Sequence, residues 1–170
     1  MSINKYGPHV WIIPEDSADE QLANGFIQHS ALDRAVAARA VQVVPHAHGW
    51  PTVIELFTRE YISWLRRFKD HAHVVMLIDF DDKDIEGRKA HFDRSIPEDV
   101  KARVFVIGSK VDPEALQREL GMTRERIGAA LAEDCLKKDF ELWRHEHLVH
   151  NRSELERMTK IVKPILFQGK

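Results

Sequence analysis

The sequence predicts an α/β domain: a mostly parallel central sheet of about four strands, helices on both faces and a helical C-terminal extension. Three observations carry this expectation. The run Val74-Val75-Met76-Leu77-Ile78 is apolar without interruption, as a strand covered on both faces must be. Strand-like and helix-like patterns alternate along most of the chain. The 170 residues, 44% hydrophobic and 31% charged, suit one ordinary globular core, so the whole of 1–170 is read as one domain, with the α/β part over about 6–120 and the helical extension over 121–170.

The elements follow in order. His9-Val10-Trp11-Ile12-Ile13-Pro14 is the first strand, and Ser17 is placed to cap a helix reaching about His29 with Leu22, Ala23, Phe26 and Ile27 on its apolar face. Arg39 to Pro45, with Val41, Val43 and Val44, reads as a second strand. After the turn His46-Ala47-His48-Gly49, Pro51 opens a helix carrying Val53, Ile54, Phe57, Tyr61, Trp64, Leu65 and Phe68 at helical spacing. The third strand runs into Asp79, a polar helix spans Ile85 to Ser95, and Val104-Phe105-Val106-Ile107 is the fourth strand, closed by Gly108-Ser109. Asp112-Pro113-Glu114 begins a helix that Gly121 stops, and Thr123 begins another bearing Ile127, Leu131 and Cys135. Phe140 to His150 has weak patterning, a last helix holds Leu155 and Met158, and the apolar tail Val162 to Phe167 is expected to dock on the body or a partner.

Bulk properties exclude several classes. No apolar run is long enough to span a bilayer, and no basic-then-apolar leader pattern opens the chain. The single cysteine, Cys135, permits no internal disulfide and suits a reducing compartment, so a cytoplasmic location is expected. The formal net charge of −2 supplies no basic footprint of the kind that binds nucleic acid through its whole surface. Arg66-Arg67-Phe68-Lys69 ends an amphipathic helix, where cations complement the helix dipole without any ligand. Trp50, Trp64 and Trp143 read as core or interface anchors.

The chemistry lies where strands end in acid. The first strand runs into Glu15 and Asp16, and the third into Asp79, Asp81 and Asp82. Ligands of parallel sheets bind at the carboxyl ends of strands. If the two strands are parallel neighbours, Glu15, Asp79 and Asp81 converge, with alternation along an extended chain pointing both aspartates one way. Convergent hard oxygens suit Mg²⁺ or Mn²⁺. Ser109 and Lys110, at the end of the fourth strand, face the same edge, and Lys110 or Arg88 could offset phosphate charge.

Glu15-Asp16-Ser17-Ala18-Asp19 and Asp79-Phe80-Asp81 resemble the Toprim pattern of topoisomerases, primases and overcoming-lysogenization-defect nucleases: a glutamate after the first strand and Asp-x-Asp after a later one. The resemblance covers Tyr6 to about Leu120. It implies a Rossmann-like sheet, Glu15 as ligand or general acid/base, and Asp79 and Asp81 as Mg²⁺ ligands. Asp112 and Glu114 stand where the nuclease branch can add acidic metal ligands after its next strand. The implied activity is phosphodiester chemistry on nucleic acid, as a nuclease component working with a partner ATPase and able to form homo-oligomers. One departure is Asp16, where Toprim proteins commonly have glycine.

Other readings use the same residues. A module that keeps the fold without turnover would bind or assemble only, and its acids would merely cap helices. Haloacid-dehalogenase-type phosphotransferases carry Asp-x-Asp, but on the first strand. Receiver domains pair acids after strand one with an Asp after strand three, and would need Ser109 and Lys110 on successive strands. The ten histidines include His46-Ala47-His48 and His145-Glu146-His147 with His150, none at spacing diagnostic of zinc, and they read as turn or surface histidines.

Overall fold

The computed structural model describes residues 2–167, with the Arg34 side chain outside the description. The sheet strands are β1 (His9–Pro14), β2 (Val41–Val43), β3 (Ala72–Asp79) and β4 (Val104–Ser109), all parallel, in the order β2-β1-β3-β4. The expected four-stranded α/β architecture is present, and β1 and β3 sit together at its centre. Because the chain leaves β1 for one edge and returns across it to β3, the topological switch lies between these two strands.

Side chains sort by strand alternation into two cores. Val10, Ile12, Val75 and Phe105 face one side, with α1 (Ser17–Ile27), α2 (Arg34–Ala40) and α7 (Arg124–Lys137). Ile13, Val74, Met76, Ile78 and Val106 face the other, with α3 (Trp50–Leu56), α4 (Ile62–Arg67) and α5 (Ile85–Ser95). A π-helical turn, Phe57–Tyr61, joins α3 to α4, so the helix expected after Pro51 is nearly continuous. Buried His9 is held in one tautomer: indole Nε1 of Trp64 can only donate, so Nε2 of His9 accepts at 2.9 Å while Nδ1 donates to the Gly7 carbonyl.

Two predicted boundaries hold: Thr123 caps α7, and Gly121 ends α6 (Pro113–Leu120) in the left-handed conformation. Asp84 caps α5. Two expectations are corrected. Asp16, not Ser17, is the N-cap of α1, because Ser17 is already the first helical residue. The second strand is only Val41–Val43, because Arg39 and Ala40 belong to α2, a short helix capped by Asp33. An Ala-rich seven-residue helix that runs straight into a valine strand has no polar boundary to mark it.

The extension does two structural jobs. Its tail docks as expected, Ile165, Leu166 and Phe167 being buried in the first core. Between it and the sheet lies an apolar cavity of about 120 Å³ lined by Leu22, Phe26, Leu131, Trp143 and Met158. Asn151 and the helix it leads into, α8 (Arg152–Ile161), also seal the outer edge of β4. The wholly buried Asn151 amide accepts from the Gly108 N–H at 3.0 Å and donates to the Gly108 carbonyl at 2.9 Å. Glu154 accepts the Val106 N–H, and Arg157 donates to the Val104 carbonyl. An open strand edge, otherwise a template for aggregation, is thereby satisfied with side chains.

α1 and α7 cross with their backbones in contact. A β-carbon on Gly128 would lie 2.1 Å from the Leu22 carbonyl oxygen, and one on Gly25 would lie 2.1 Å from that of Glu125. Gly128→Ala would raise helix propensity by about 1 kcal/mol in an open helix. Here the methyl group must push two backbones apart, and the expected net loss is about 1–3 kcal/mol. Urea midpoints of wild type and Gly128→Ala check this; an unchanged or raised midpoint would refute so close a crossing.

Candidate metal centre

The site grows from the register of β1 and β3. Pro14 lies opposite Leu77, so both strands reach the carboxyl edge at one level. The Glu15 N–H extends the ladder to the Leu77 carbonyl, and its side-chain Oε2 accepts the Asp79 N–H at 2.8 Å. Glu15 and Asp79 therefore meet at one edge and flank the topological switch. The loop His46–Gly49 folds over the end of β1, with the Ala47 N–H on the Pro14 carbonyl and the Gly49 N–H on the Glu15 carbonyl.

Asp16 occupies an extended backbone conformation that needs no glycine, and its carboxylate caps α1 through the Ala18 and Asp19 N–H groups at 2.8 and 3.0 Å. This cap aims the first turn of α1 inward and places Asp19, which sequence reading passed over, at 0% exposure. Neither Asp19 carboxylate oxygen has a hydrogen-bond partner. Burial, then the charges of Asp16, Glu15 and Asp79, push its pKa well above the ordinary range.

Asp79 ends β3 at 6% exposure, and its Oδ1 accepts the Asp81 N–H at 2.9 Å. Burial lifts its pKa to about 7, with contributions from the charges of Asp81, Glu15 and Asp112, against the lowering effect of the Asp81 N–H bond. Burial likewise raises Glu15. The expectation that alternation aligns Asp79 and Asp81 is corrected. Asp81 and Asp82 leave the strand with φ of 55° and 48°, so Asp81 is set by a left-handed turn and stands exposed. His48, across the edge, has φ of 66°. Such non-glycine strain gathers at sites the surrounding structure over-determines.

Arg88 comes in from α5. Its Nη1 donates to the Asp79 carbonyl at 2.7 Å and to Asp81 Oδ2 at 3.1 Å, while its guanidinium lies 4.7 Å from the centre of the Trp50 ring. Lys110 Nζ stands 3.5 Å from Asp82. Ser109, opposite Asp79 in the β3–β4 register, is buried, and its hydroxyl has no partner. Asp112 caps α6 on the Ala115 N–H, near enough for its charge to act on Asp79. Glu114 does not join them. It is exposed and pairs with Arg124 at 3.1 Å, so its expected place among the ligands is corrected.

Hard, partly unpartnered carboxylate oxygens held at an open strand edge fit Mg²⁺ or Mn²⁺ in chemistry. Asp19 is the group that bears on fit: a buried carboxyl with two unpartnered oxygens among other acids is stabilised either by keeping its proton or by a cation. The acids are not drawn into a closed shell. Among the described residues, a trio of donor atoms all within 4.8 Å of one another occurs at Glu119, His145 and His147 instead. Comparison with protein families, with curated proteins and with solved structures finds no match to this chain.

An acid with a raised native pKa binds its proton more tightly folded than unfolded. Its contribution is therefore favourable at low pH and lost as pH rises from the ordinary carboxylate range to about 7 for Asp79. Asp79→Asn keeps the acceptor for the Asp81 N–H and removes the charge. In EDTA at pH 8 it should unfold with on the order of 2–4 kcal/mol more stability than wild type, the gap closing by pH 4. Paired urea titrations at the two pH values check it, since buried His9 and His73 and half-buried His150, which destabilise on acidification, cancel in the difference. A destabilised Asp79→Asn at pH 8 would contradict it.

Proposed function

We propose that the carboxyl edge is a Mg²⁺- or Mn²⁺-dependent centre for phosphodiester cleavage in nucleic acid, of the Toprim-like nuclease kind. The observation that carries the reading is the gathering of Glu15, Asp19, Asp79 and Asp81 at the switch between β1 and β3, with Asp19 buried and bare. Glu15, Asp19, Asp79 and Asp81 would hold the ion, with Asp112 adding negative charge behind Asp79. A bound divalent ion supplies Lewis-acid activation of water and neutralises charge growing on the phosphodiester.

The chain's own groups do the rest. Glu15 is oriented by the Asp79 N–H on one oxygen, which leaves the other free to take or give a proton. Asp79, whose pKa burial lifts to about 7, would release its proton on holding a cation. Arg88 fixes the Asp79 carbonyl and the Asp81 carboxylate relative to each other, and Lys110, half-exposed beside Asp82, can turn to a phosphate. Both cations are engaged with acids, and the chain's net charge is −2. These facts favour a partner that helps to bind the nucleic acid, such as an ATPase. They also support the second reading, a binding or assembly module without turnover.

The test uses labelled single- and double-stranded DNA and RNA with Mg²⁺ or Mn²⁺, with the protein alone and with any ATPase encoded beside it. Cleavage should need the ion and fall at least about 100-fold in Glu15→Gln, Asp19→Asn and Asp81→Asn, since 1.4 kcal/mol of lost transition-state stabilisation is already tenfold. Activity that survives these substitutions belongs to a contaminant. Saturating Mg²⁺ should also raise the melting temperature of wild type and not of Asp79→Asn, because an ion bound only by the folded state stabilises it by about 2.7 kcal/mol at one hundred times its Kd. Retained nucleic-acid binding with no cleavage under any condition would leave the assembly module standing.

A further inference from the structure

We propose that Glu119, His145 and His147 form a second divalent-metal site, of zinc type, independent of the carboxyl edge. Glu119 lies in the last turn of α6, and the turn Arg144–Leu148 brings the two histidines onto it. His147 Nε2 is 2.9 Å from Glu119 Oε1, His145 Nε2 is 3.6 Å from Glu119 Oε2, and the three donor atoms lie within 4.8 Å of one another. Two imidazoles and one carboxylate match Zn²⁺ with water in the fourth position, whereas the all-oxygen edge matches Mg²⁺. Asp112, which borders that edge, begins the same helix seven residues earlier, about 10 Å away at 1.5 Å per residue.

His147 is 9% exposed, and its Nε2 already meets Glu119 at 2.9 Å, so the ligating nitrogen is turned into the trio. With an ion there each imidazole would carry its ring proton on Nδ1. For His147 that nitrogen is buried without a partner, and His145 would give up the 3.2 Å bond its Nδ1 accepts from the His147 N–H. Both effects oppose loading, and three metal–ligand bonds must outweigh them.

The site would add to contacts that already hold an irregular segment. Residues 138–151 contain two short 3₁₀ turns, Leu142–Arg144 and Val149–Asn151; the His147 carbonyl accepts the Lys110 N–H, the His150 carbonyl accepts from Lys89, the His150 ring packs edge-on to Phe80 at 5.0 Å, and Asn151 clasps Gly108. An ion tying this segment to α6 would fix the far side of the β4 end. The His46 and His48 rings meet edge-on at 4.5 Å, but His46 is taken up by Glu20 at 2.6 Å and His48 is exposed.

The experiment is a Co²⁺ titration of EDTA-treated full-length protein, read by visible absorption. One equivalent should give the intense band of a four-coordinate Co²⁺ centre, which Zn²⁺ removes and a large excess of Mg²⁺ does not. Glu119→Gln and His145→Ala, both on partly exposed side chains, should weaken Co²⁺ binding by at least about tenfold, as loss of one of three protein ligands requires. Asp79→Asn and His48→Ala should leave the band unchanged. The site is refuted by the absence of a band, or by its persistence in both ligand variants. It is equally refuted if the band is lost in Asp79→Asn or His48→Ala but kept in Glu119→Gln, which would put the ion at the carboxyl edge or the His46 loop. Nuclease activity does not enter this readout, so the two metal readings stand or fall separately.

Discussion

The bond from the Asp79 N–H to the Glu15 carboxylate is the contact on which the carboxyl edge depends. It exists because β1 and β3 pair in parallel with Pro14 opposite Leu77, and because both strands are buried on both faces and can slip in neither direction. A one-residue slip would send Ile13 and Val74 to the wrong core and carry Glu15 off the Asp79 amide. The hydrophobic sorting of two cores thus sets, to within a hydrogen bond, where two carboxylates stand. Asp16 and Arg88 complete the arrangement from flanking helices, one by aiming α1 and the other by tying the end of β3 to the turn after it.

Such an arrangement opposes folding. Asp19 has no exposed surface and no partner, Asp79 holds its proton to about pH 7, and three residues at this edge adopt left-handed backbone conformations without being glycine. Each of these features is unfavourable by itself. They persist because the rest of the fold over-determines them: a closely packed α1–α7 crossing, two continuous apolar cores, and a β4 edge capped by Asn151, Glu154 and Arg157. Stability surrendered at one place and recovered elsewhere is how proteins keep reactive sites.

Much of this was legible in the chain. Unbroken apolar runs marked β1, β3 and β4, and Thr123 and Gly121 marked helix boundaries, since strand burial and capping are local consequences of composition. Glu15 and Asp79 could be placed at one edge as soon as the strands were taken as parallel. What escaped depends on tertiary geometry. Asp19 looks like any acid in the first turn of a helix, and only the packing of α1 on the sheet buries it. Glu114 follows Asp112 at a suggestive spacing, but helix rotation turns it toward Arg124. The pleat rule failed at Asp81 because the strand had already ended. Glu119 is far in sequence from His145 and His147, so their meeting has no spacing to announce it.

The two clusters show how ligand chemistry divides a small protein. At the β1–β3 switch every donor is a carboxylate, Asp19 on a helix, Glu15 and Asp79 at strand ends and Asp81 in the turn that follows, and the edge is open to solvent through Asp81 and Lys110. That combination suits a hard ion that keeps waters and meets a charged substrate. Beyond β4, imidazoles on an irregular segment meet a carboxylate at the end of α6, with His147 nearly enclosed. That combination suits a softer ion that keeps water in its fourth position. β4 lies between them: Ser109 faces Asp79 across the ladder on one side, and Lys110 takes the His147 carbonyl on the other. Order imposed on the histidine segment therefore reaches the acidic edge through two consecutive residues of one strand end, with no movement of the sheet required.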